Sequence, residues 1–174
     1  IGTGTGQVAG DGSWTHTPAG TPRAVLVFVN SGTFTSGGVT GVTYGGSTMT
    51  QVTGSPNSKS AAEALKSTAW VLLSSVPTGG QSVAVDNNLD DDWSGFCVTL
   101  TSSANDCEVV DSDGTINSGS VANPSITLAL TGKTCFCAIA PASGQNAVGG
   151  IAPLSGWTAR YEYVLGGQTT ALYT

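Results

Sequence analysis

Short apolar runs alternate with turn-forming residues along the whole chain. Residues 69–85 show the unit: the run AWVLLSSV leads into PTGG, and QSVAV follows. Pro and Gly favour a turn here, and the apolar residues on either side do not recur with the period of a helix. The pattern therefore predicts an all-β protein, an antiparallel two-sheet β-sandwich that is jelly-roll-like.

Two of the runs predict particular geometries. The continuous apolar run AVLVFVN at 24–30 is typical of a strand that is covered on both faces. Gly45 and Gly46 separate two alternating runs, and adjacent glycines supply the positive φ values of a two-residue hairpin turn. The helix-like patch AAEALK at 61–66 is interpreted as a surface excursion before a strand. The remaining strands are predicted at 13–17, 39–44, 47–52, 67–74, 81–86, 93–102, 106–111, 125–130, 134–140, 158–165 and 169–174.

Length and charge bound the organisation of the chain and its partners. The 174 residues fit one domain, 1–174, whose C-terminal strand is expected to be incomplete because TTALYT at 169–174 stops without a turn. Only 9% of the residues are charged and the net charge is −6. Eight of the eleven acids lie between Lys66 and Lys133, where no basic residue occurs. Such a block repels phosphate backbones and anionic membranes, so neither nucleic acid nor a membrane is expected as a partner.

Residues suited to catalysis are scarce. His16 is the only imidazole, and the chain contains neither a G-x-S-x-G nucleophile motif nor a C-x-x-C redox motif. We interpret His16 as an ordinary strand or loop histidine, predict no catalytic residue, and do not expect an enzyme. A carboxylate-dependent glycosidase stays open as a third hypothesis, because the acids at 90–92 could face a second carboxylate across a cleft.

Two acidic loops form the candidate metal site. The stretches DNNLDDD at 86–92 and DSDG at 111–114 offer the carboxylate oxygens that Ca²⁺ prefers. If the loops meet, they would share one structural Ca²⁺, and the alternative is that both are solvated acidic turns. No other cofactor is expected. The candidate ligands are Asp90, Asp92, Asp111 and Asp113.

Cysteines and tryptophans supply the remaining candidates. Cys97 and Cys107 lie in neighbouring predicted strands, where they are either a disulfide of an oxidising compartment or free thiols. Trp70 lies within an apolar run and is expected in the core. Trp93 and Trp157 flank loops, so they are the better candidates for an exposed surface that contacts a ligand or a neighbouring protein.

Four segments resemble a family of small β-sandwich proteins encoded in bacteriophage structural gene clusters and environmental sequences. They are GSWTHTPAGTPRAVLVFV (12–29), GVTYGGSTMTQV (41–52), VPTGGQSVAV (76–85) and GWTARYEY (156–163). The shared motifs are strand, turn and strand, so the resemblance implies a fold and brings no active-site residues. Members of the family usually carry a further C-terminal strand that this chain is expected to lack, in which case a partner or residues beyond this sequence would close the sandwich.

Together these features favour a non-enzymatic virion structural protein, either a capsid decoration or a subunit of a fibre or appendage, on a virion or an extracellular surface. Its expected partners are other virion or surface-assembly proteins and further copies of itself in a homo-oligomer. A surface rich in Ser, Thr and Gly and poor in charge suits such permanent packing. The alternative is a secreted carbohydrate-binding module that holds a glycan with exposed tryptophan and a loop Ca²⁺.

Overall fold

Every regular element in the described part of the chain is a β-strand. The computed structural model describes residues 5–8, 12–32, 39–55, 57–58, 65–87, 93–101, 107–112, 127–129, 142–143, 155–165 and 168–173. These residues form thirteen strands. In chain order they are β1 (Thr5–Val8), β2 (Gly12–His16), β3 (Ala24–Gly32), β4 (Val39–Tyr44), β5 (Ser47–Thr48), β6 (Thr50–Gln51), β7 (Asn57–Ser58), β8 (Leu65–Leu72), β9 (Gln81–Asn87), β10 (Trp93–Leu100), β11 (Ala142–Ser143), β12 (Ala159–Leu165) and β13 (Gln168–Tyr173).

The strands form three antiparallel sheets. A six-stranded sheet has the order β1-β10-β3-β8-β6, with β7 also paired to β8. A four-stranded sheet has the order β2-β9-β4-β5, and a three-stranded sheet has the order β11-β13-β12. The six- and four-stranded sheets contribute to one buried cluster, so they pack face to face as a sandwich.

The first ten strands are wound as a jelly roll. The antiparallel pairs are nested, because β1 pairs with β10, β2 with β9, β3 with β8, and β4 with β5. Pairing of β10 with β3 and of β9 with β4 then joins these pairs into the two sheets. The predicted jelly-roll-like sandwich is therefore confirmed. Its pairing runs from Thr5 to Leu100 and does not include β13, while the assignment of 1–174 to one domain stays a prediction.

The hairpin between β4 and β5 has the predicted glycine turn. Gly45 and Gly46 have φ values of 55° and 80°, and this pair of positive angles matches the right-handed twist of the flanking strands. Tyr44 and Ser47 are register partners on either side of the turn. The two glycines thus set the register of the innermost pair of the roll.

The chain crosses from one sheet to the other at Met49. β5 pairs with β4 in the four-stranded sheet, and β6 pairs with β8 in the six-stranded sheet. Met49 lies between them, is 3% exposed, and donates its backbone N–H to the carbonyl of Val42 at 2.9 Å. A flexible, unbranched side chain suits this corner, where the apolar space is irregular.

Alternate residues of the facing strands bury one apolar core. Val25, Val27 and Val29 of β3 are each 0% exposed, and Val42 of β4 is 1% exposed. β-branched residues at every second position fit a pleated strand with one face against the opposite sheet. The core cluster consists of Trp14, Val25, Val27, Val29, Val42, Tyr44, Met49, Trp70, Val83, Val85, Trp93 and Cys97.

The other face of the six-stranded sheet also holds a buried apolar cluster. Leu26 and Phe28, both partly buried, alternate with the core valines of β3 and pack beside their register partners Val98 and Phe96 of β10, whose 0% exposure shows that this face is shielded from solvent. The rings of Phe28 and Phe96 have centroids 5.9 Å apart. The prediction that the run at 24–30 is covered on both faces is therefore confirmed.

Two predicted strands are wrong in their described parts. Residues 107–112 and 127–129 contain no strand, although the runs at 106–111 and 125–130 are rich in strand-forming residues. Val109 and Val110 are 44% and 41% exposed, so neither side chain is used in the core. The prediction at 134–140 lies outside the described residues.

Smaller differences occur at strand ends. Leu65 and Lys66 open β8, so the end of the patch at 61–66 is strand rather than a surface excursion. β1 was not predicted, because Thr-Gly-Gln-Val has no run of apolar residues and takes its register from β10. The predicted strands at 158–165 and 169–174 correspond to β12 and β13.

Gly95 of β10 provides the space in which two indole rings meet, and this generates a stability prediction. A Cβ atom there would lie 2.9 Å from Cη2 of Trp14 and 2.9 Å from Cζ3 of Trp93. Gly95→Ala should destabilise the protein by about 1–3 kcal/mol, because the added methyl forces the rings apart. The measurement is urea unfolding at equilibrium.

Gly41→Ala is the matched control. Gly41 also lies in a strand, but its added Cβ would meet only Cβ of Asp86, at 3.8 Å, which is ordinary contact. We expect a change within about 0.5 kcal/mol, as for a substitution away from the core. Equal losses in the two variants would contradict the close packing of the two indoles over Gly95.

Candidate functional site

A buried polar cluster links the two sheets near His16. His16 of β2 is 0% exposed, and its Nε2 lies 3.3 Å from Oγ1 of Thr99 on β10, also 0% exposed. The ring of His16 lies 6.3 Å from the ring of Tyr44, centroid to centroid. The strand position predicted for His16 is confirmed, and the histidine joins the four-stranded sheet to the six-stranded sheet by a side-chain hydrogen bond.

The ionisable groups of this cluster are held neutral. Burial lowers the pKa of His16, and burial together with the nearby Cys97 raises the pKa of Tyr44 to about 12. Burial also raises the pKa of the Cys97 thiol. The Tyr44 hydroxyl is buried without a hydrogen-bond partner in the part of the chain that the structure describes. Neutral groups are what a water-free interface between two sheets accommodates.

Of the two alternatives for Cys97 and Cys107, the structure has the free thiols and not the disulfide. Cys97 pairs with Val27 in the middle of β10 and faces the core. Cys107 lies beyond the end of that strand, in the lining of a groove next to Arg23.

The tryptophans divide between core and surface differently from the prediction. Trp70 is buried, as predicted. Trp93 is only 2% exposed and its ring lies 6.1 Å from that of Trp14, so its assignment to an exposed surface is wrong. The position at the start of β10 points the indole between the sheets rather than out of the loop. Trp157 is half-buried, next to the turn that precedes β12.

Only one of the four predicted Ca²⁺ ligands lies in the described residues. The Asp111 carboxylate accepts the backbone N–H of Ser112 at 2.9 Å and of Ala129 at 2.6 Å, so it ties two chain segments together. Ser112 in turn donates its hydroxyl to the carbonyl of Thr53 at 2.6 Å. These bonds replace a strand ladder at 107–112. Asp90, Asp92 and Asp113 lie outside the described residues, and the Ca²⁺ site stays a prediction.

The outer face of the four-stranded sheet carries mostly short, uncharged side chains, with Asp86 of β9 as an exposed acid on it. Across this face Ser13, Ala84, Thr43 and Thr48 are register partners in one row through all four strands. Each alternates along its strand with core residues; Ser13 and Thr48 are exposed, and Thr43 and Ala84 are half-buried. We call this set the hydroxyl face, which consists of Ser13, Thr15, Thr43, Thr48, Ser82 and Ala84.

A groove of about 490 Å³ opens at one end of the sandwich. It lies where β3 begins and β8 ends, because Arg23 precedes β3 and Leu73 follows β8. The backbone N–H of Arg23 donates to the carbonyl of Leu100 at 2.8 Å, which fixes this end of the strand pair. Sequence patterns do not indicate this groove, since its walls come from three separate segments. The lining residues are Thr21, Pro22, Arg23, Leu73, Ser74, Ser75, Val76 and Cys107.

Comparisons of this chain with models of protein families, with curated proteins and with solved structures find no match. The described residues contain no helix that is long and apolar enough to cross a membrane. The same residues contain no group of three or more His, Cys, Asp or Glu side chains arranged to hold a metal ion.

Acid sensitivity follows from the burial of His16. Because its folded-state pKa is lowered from 6.5, the unfolded chain binds the proton more readily than the folded chain. The stability of the fold with a neutral, buried His16 is therefore fully present above pH 6.5. It decreases as the pH falls below that value, because protonation then favours the unfolded chain. His16→Gln should therefore flatten the fall of Tm from about pH 7.5 to about pH 5, measured by circular dichroism.

The quantity compared is the slope of Tm against pH in the wild type and in His16→Gln. Absolute Tm values are not compared, because the carboxylates titrate in both proteins and the substitution lowers Tm at every pH. Parallel curves for the wild type and His16→Gln would show that the buried imidazole does not set the acid response.

Thiol labelling tests whether Cys97 and Cys107 are free thiols. Iodoacetamide should modify the half-buried Cys107 in the native protein, and Cys97 only after unfolding. Peptide mapping by mass spectrometry assigns the labelled positions. A Cys97–Cys107 linked peptide in the air-oxidised protein would contradict the structure.

Proposed function

We propose that this chain is a non-enzymatic structural subunit of a virion, either a capsid decoration or a subunit of a fibre or appendage. It acts by packing on copies of itself or on neighbouring surface proteins. The jelly roll is an architecture of viral capsid and lectin domains, which supports the proposal by analogy of fold.

The observation that carries the proposal is the hydroxyl face. The row Ser13, Ala84, Thr43 and Thr48 that crosses its four strands has no charged side chain. Asp86 of β9, opposite Gly41 and two residues after Ala84, is exposed on the same side of the sheet and places one carboxylate at the margin of the face. Covering short hydroxyl side chains orders few rotamers and removes no charge from water, so contact with a neighbour has a small desolvation and entropy cost.

The strand edges supply further contact surface. β1 and β6 are the outer strands of the six-stranded path, and β2 and β5 are the outer strands of the four-stranded sheet. An outer strand presents backbone N–H and carbonyl groups to which a neighbouring chain can add. Assembly through a flat face and open edges uses main-chain groups rather than long charged side chains.

The carbohydrate alternative loses part of its basis. It relied on exposed tryptophan and a loop Ca²⁺, and Trp93 is buried against Trp14. Trp157 is then the remaining candidate of that pair, and it is half-buried.

Light scattering with a charge placed on the hydroxyl face tests the proposal. The wild type should be oligomeric, and Ala84→Arg should shift the native mass towards the monomer, because a guanidinium at the centre of the face must be desolvated on contact. Repeating the measurement in EDTA tests the predicted Ca²⁺ separately, since loss of the oligomer there would place the ion in the assembly.

Thr53→Arg is the control, since Thr53 is exposed in the loop after β6 and lies outside the hydroxyl face. Its oligomer should equal that of the wild type. A wild-type monomer at all concentrations, or an oligomer that Ala84→Arg leaves intact, would overturn the role of this face.

A further inference from the structure

The groove at the end of the sandwich has a positive charge in its lining. Among the described residues that line it, Arg23 is the only charged one. Glu108 follows Cys107 and is exposed, but it is not part of the lining. In a chain with eleven acidic and five basic residues, a guanidinium with only neutral neighbours among the described lining residues is unusual. The groove is therefore a local positive site on an acidic protein.

The hydrogen bonding of Arg23 points to a ligand that the chain does not supply. Its Nε is buried and has no acceptor among the described residues. Buried donors are nearly always paired, so an unpaired donor on a charged group calls for a partner. A carboxylate binds a guanidinium through two parallel N–H···O bonds, and a side-on approach uses Nε and one terminal nitrogen. In this structure the Nε atom is closed off from solvent, so such binding requires the Arg23 side chain to turn towards the groove.

The other lining residues limit the kind of ligand. The volume of about 490 Å³ falls within the range of small-molecule sites and fits a monosaccharide or disaccharide. Ser75 has a φ of 51°, and residues in such strained conformations are often held at ligand sites. The lining combines the hydroxyls of Thr21, Ser74 and Ser75 with the apolar surfaces of Pro22, Leu73 and Val76.

We propose that this groove binds an acidic monosaccharide, a uronic or sialic acid, with Arg23 holding the carboxylate. The hydroxyl side chains bond the sugar hydroxyls, and the apolar wall contacts the C–H face of the ring. The site lies apart from the hydroxyl face, so it stands whether or not the chain assembles. It differs from the carbohydrate-binding alternative described above, because neither tryptophan nor Ca²⁺ takes part in binding.

Nuclear magnetic resonance titration of the ¹⁵N-labelled chain tests the site. The probes are D-glucuronic acid and N-acetylneuraminic acid, with D-glucose, N-acetylmannosamine and acetate as comparisons. The acids should shift the backbone amides of Thr21 and of residues 73–76, with binding at least roughly tenfold tighter than for the neutral sugars. Acetate should bind more weakly than either sugar acid, because it has no hydroxyl groups for the lining.

Matched variants separate binding from folding. Arg23→Gln should weaken binding of the sugar acids roughly tenfold or more, whereas Lys66→Gln should leave their affinity unchanged. Lys66 carries the same charge on β8 but lies six residues, roughly 20 Å, from Leu72 at the groove end of the strand. If Arg23→Gln does not fold, Ser74→Leu blocks the groove from an exposed position and should abolish the shifts.

Three results would overturn the proposal. The first is that neither acid shifts the backbone amides at the groove. The second is that Arg23→Gln or Ser74→Leu binds the sugar acids as tightly as the wild type does. The third is that acetate binds as tightly as the sugar acids. The last result would show a general anion site without sugar recognition.

Discussion

The enclosure of β3 is the constraint on which the rest of the fold depends. The strand has eight register partners on β10 and eight on β8, and apolar side chains cover both of its faces. A strand held on four sides has no place for a charge, which explains why AVLVFVN is uninterrupted. One apolar face of β3 packs against the four-stranded sheet. On the other face, Phe28 packs beside Phe96 of β10.

Buried polar groups join the two sheets by hydrogen bonds, whereas exposed polar groups connect loop segments or form the outer surface. His16 and Thr99 meet between the sheets, where their hydrogen bond joins two layers that otherwise touch through apolar atoms. Asp111 and Ser112 tie loop segments to each other with charge-assisted and neutral hydrogen bonds. The hydroxyl face and the Arg23 groove remain on the outside, and they share no residue. The proposed contact face and the proposed ligand groove therefore occupy different surfaces.

How far the sequence predicts the structure depends on the kind of signal. Alternation and continuous apolar runs locate most of the roll, and Gly45-Gly46 predicts the innermost turn correctly because only a few backbone conformations join such strands. The run at 106–111 reads as a strand by composition, but strand propensity does not supply a ladder partner, and Val109 and Val110 end up exposed. Trp93 and the Arg23 groove depend on tertiary packing, which no local pattern encodes.

The nesting of the strand pairs also bears on the order in which the chain can fold. The innermost pair joins Thr43 to Thr48, the next joins Val25 to Leu72, and the outermost joins Thr5 to Cys97. Closing the outermost pair from an open chain would fix a loop of about ninety residues in one step, with a large loss of loop entropy. If closure proceeds outwards from the glycine turn, each pair shortens the loop left for the next. A roll of high contact order is then assembled through a series of short closures, and its last strand joins only after the whole of β10 has been synthesised.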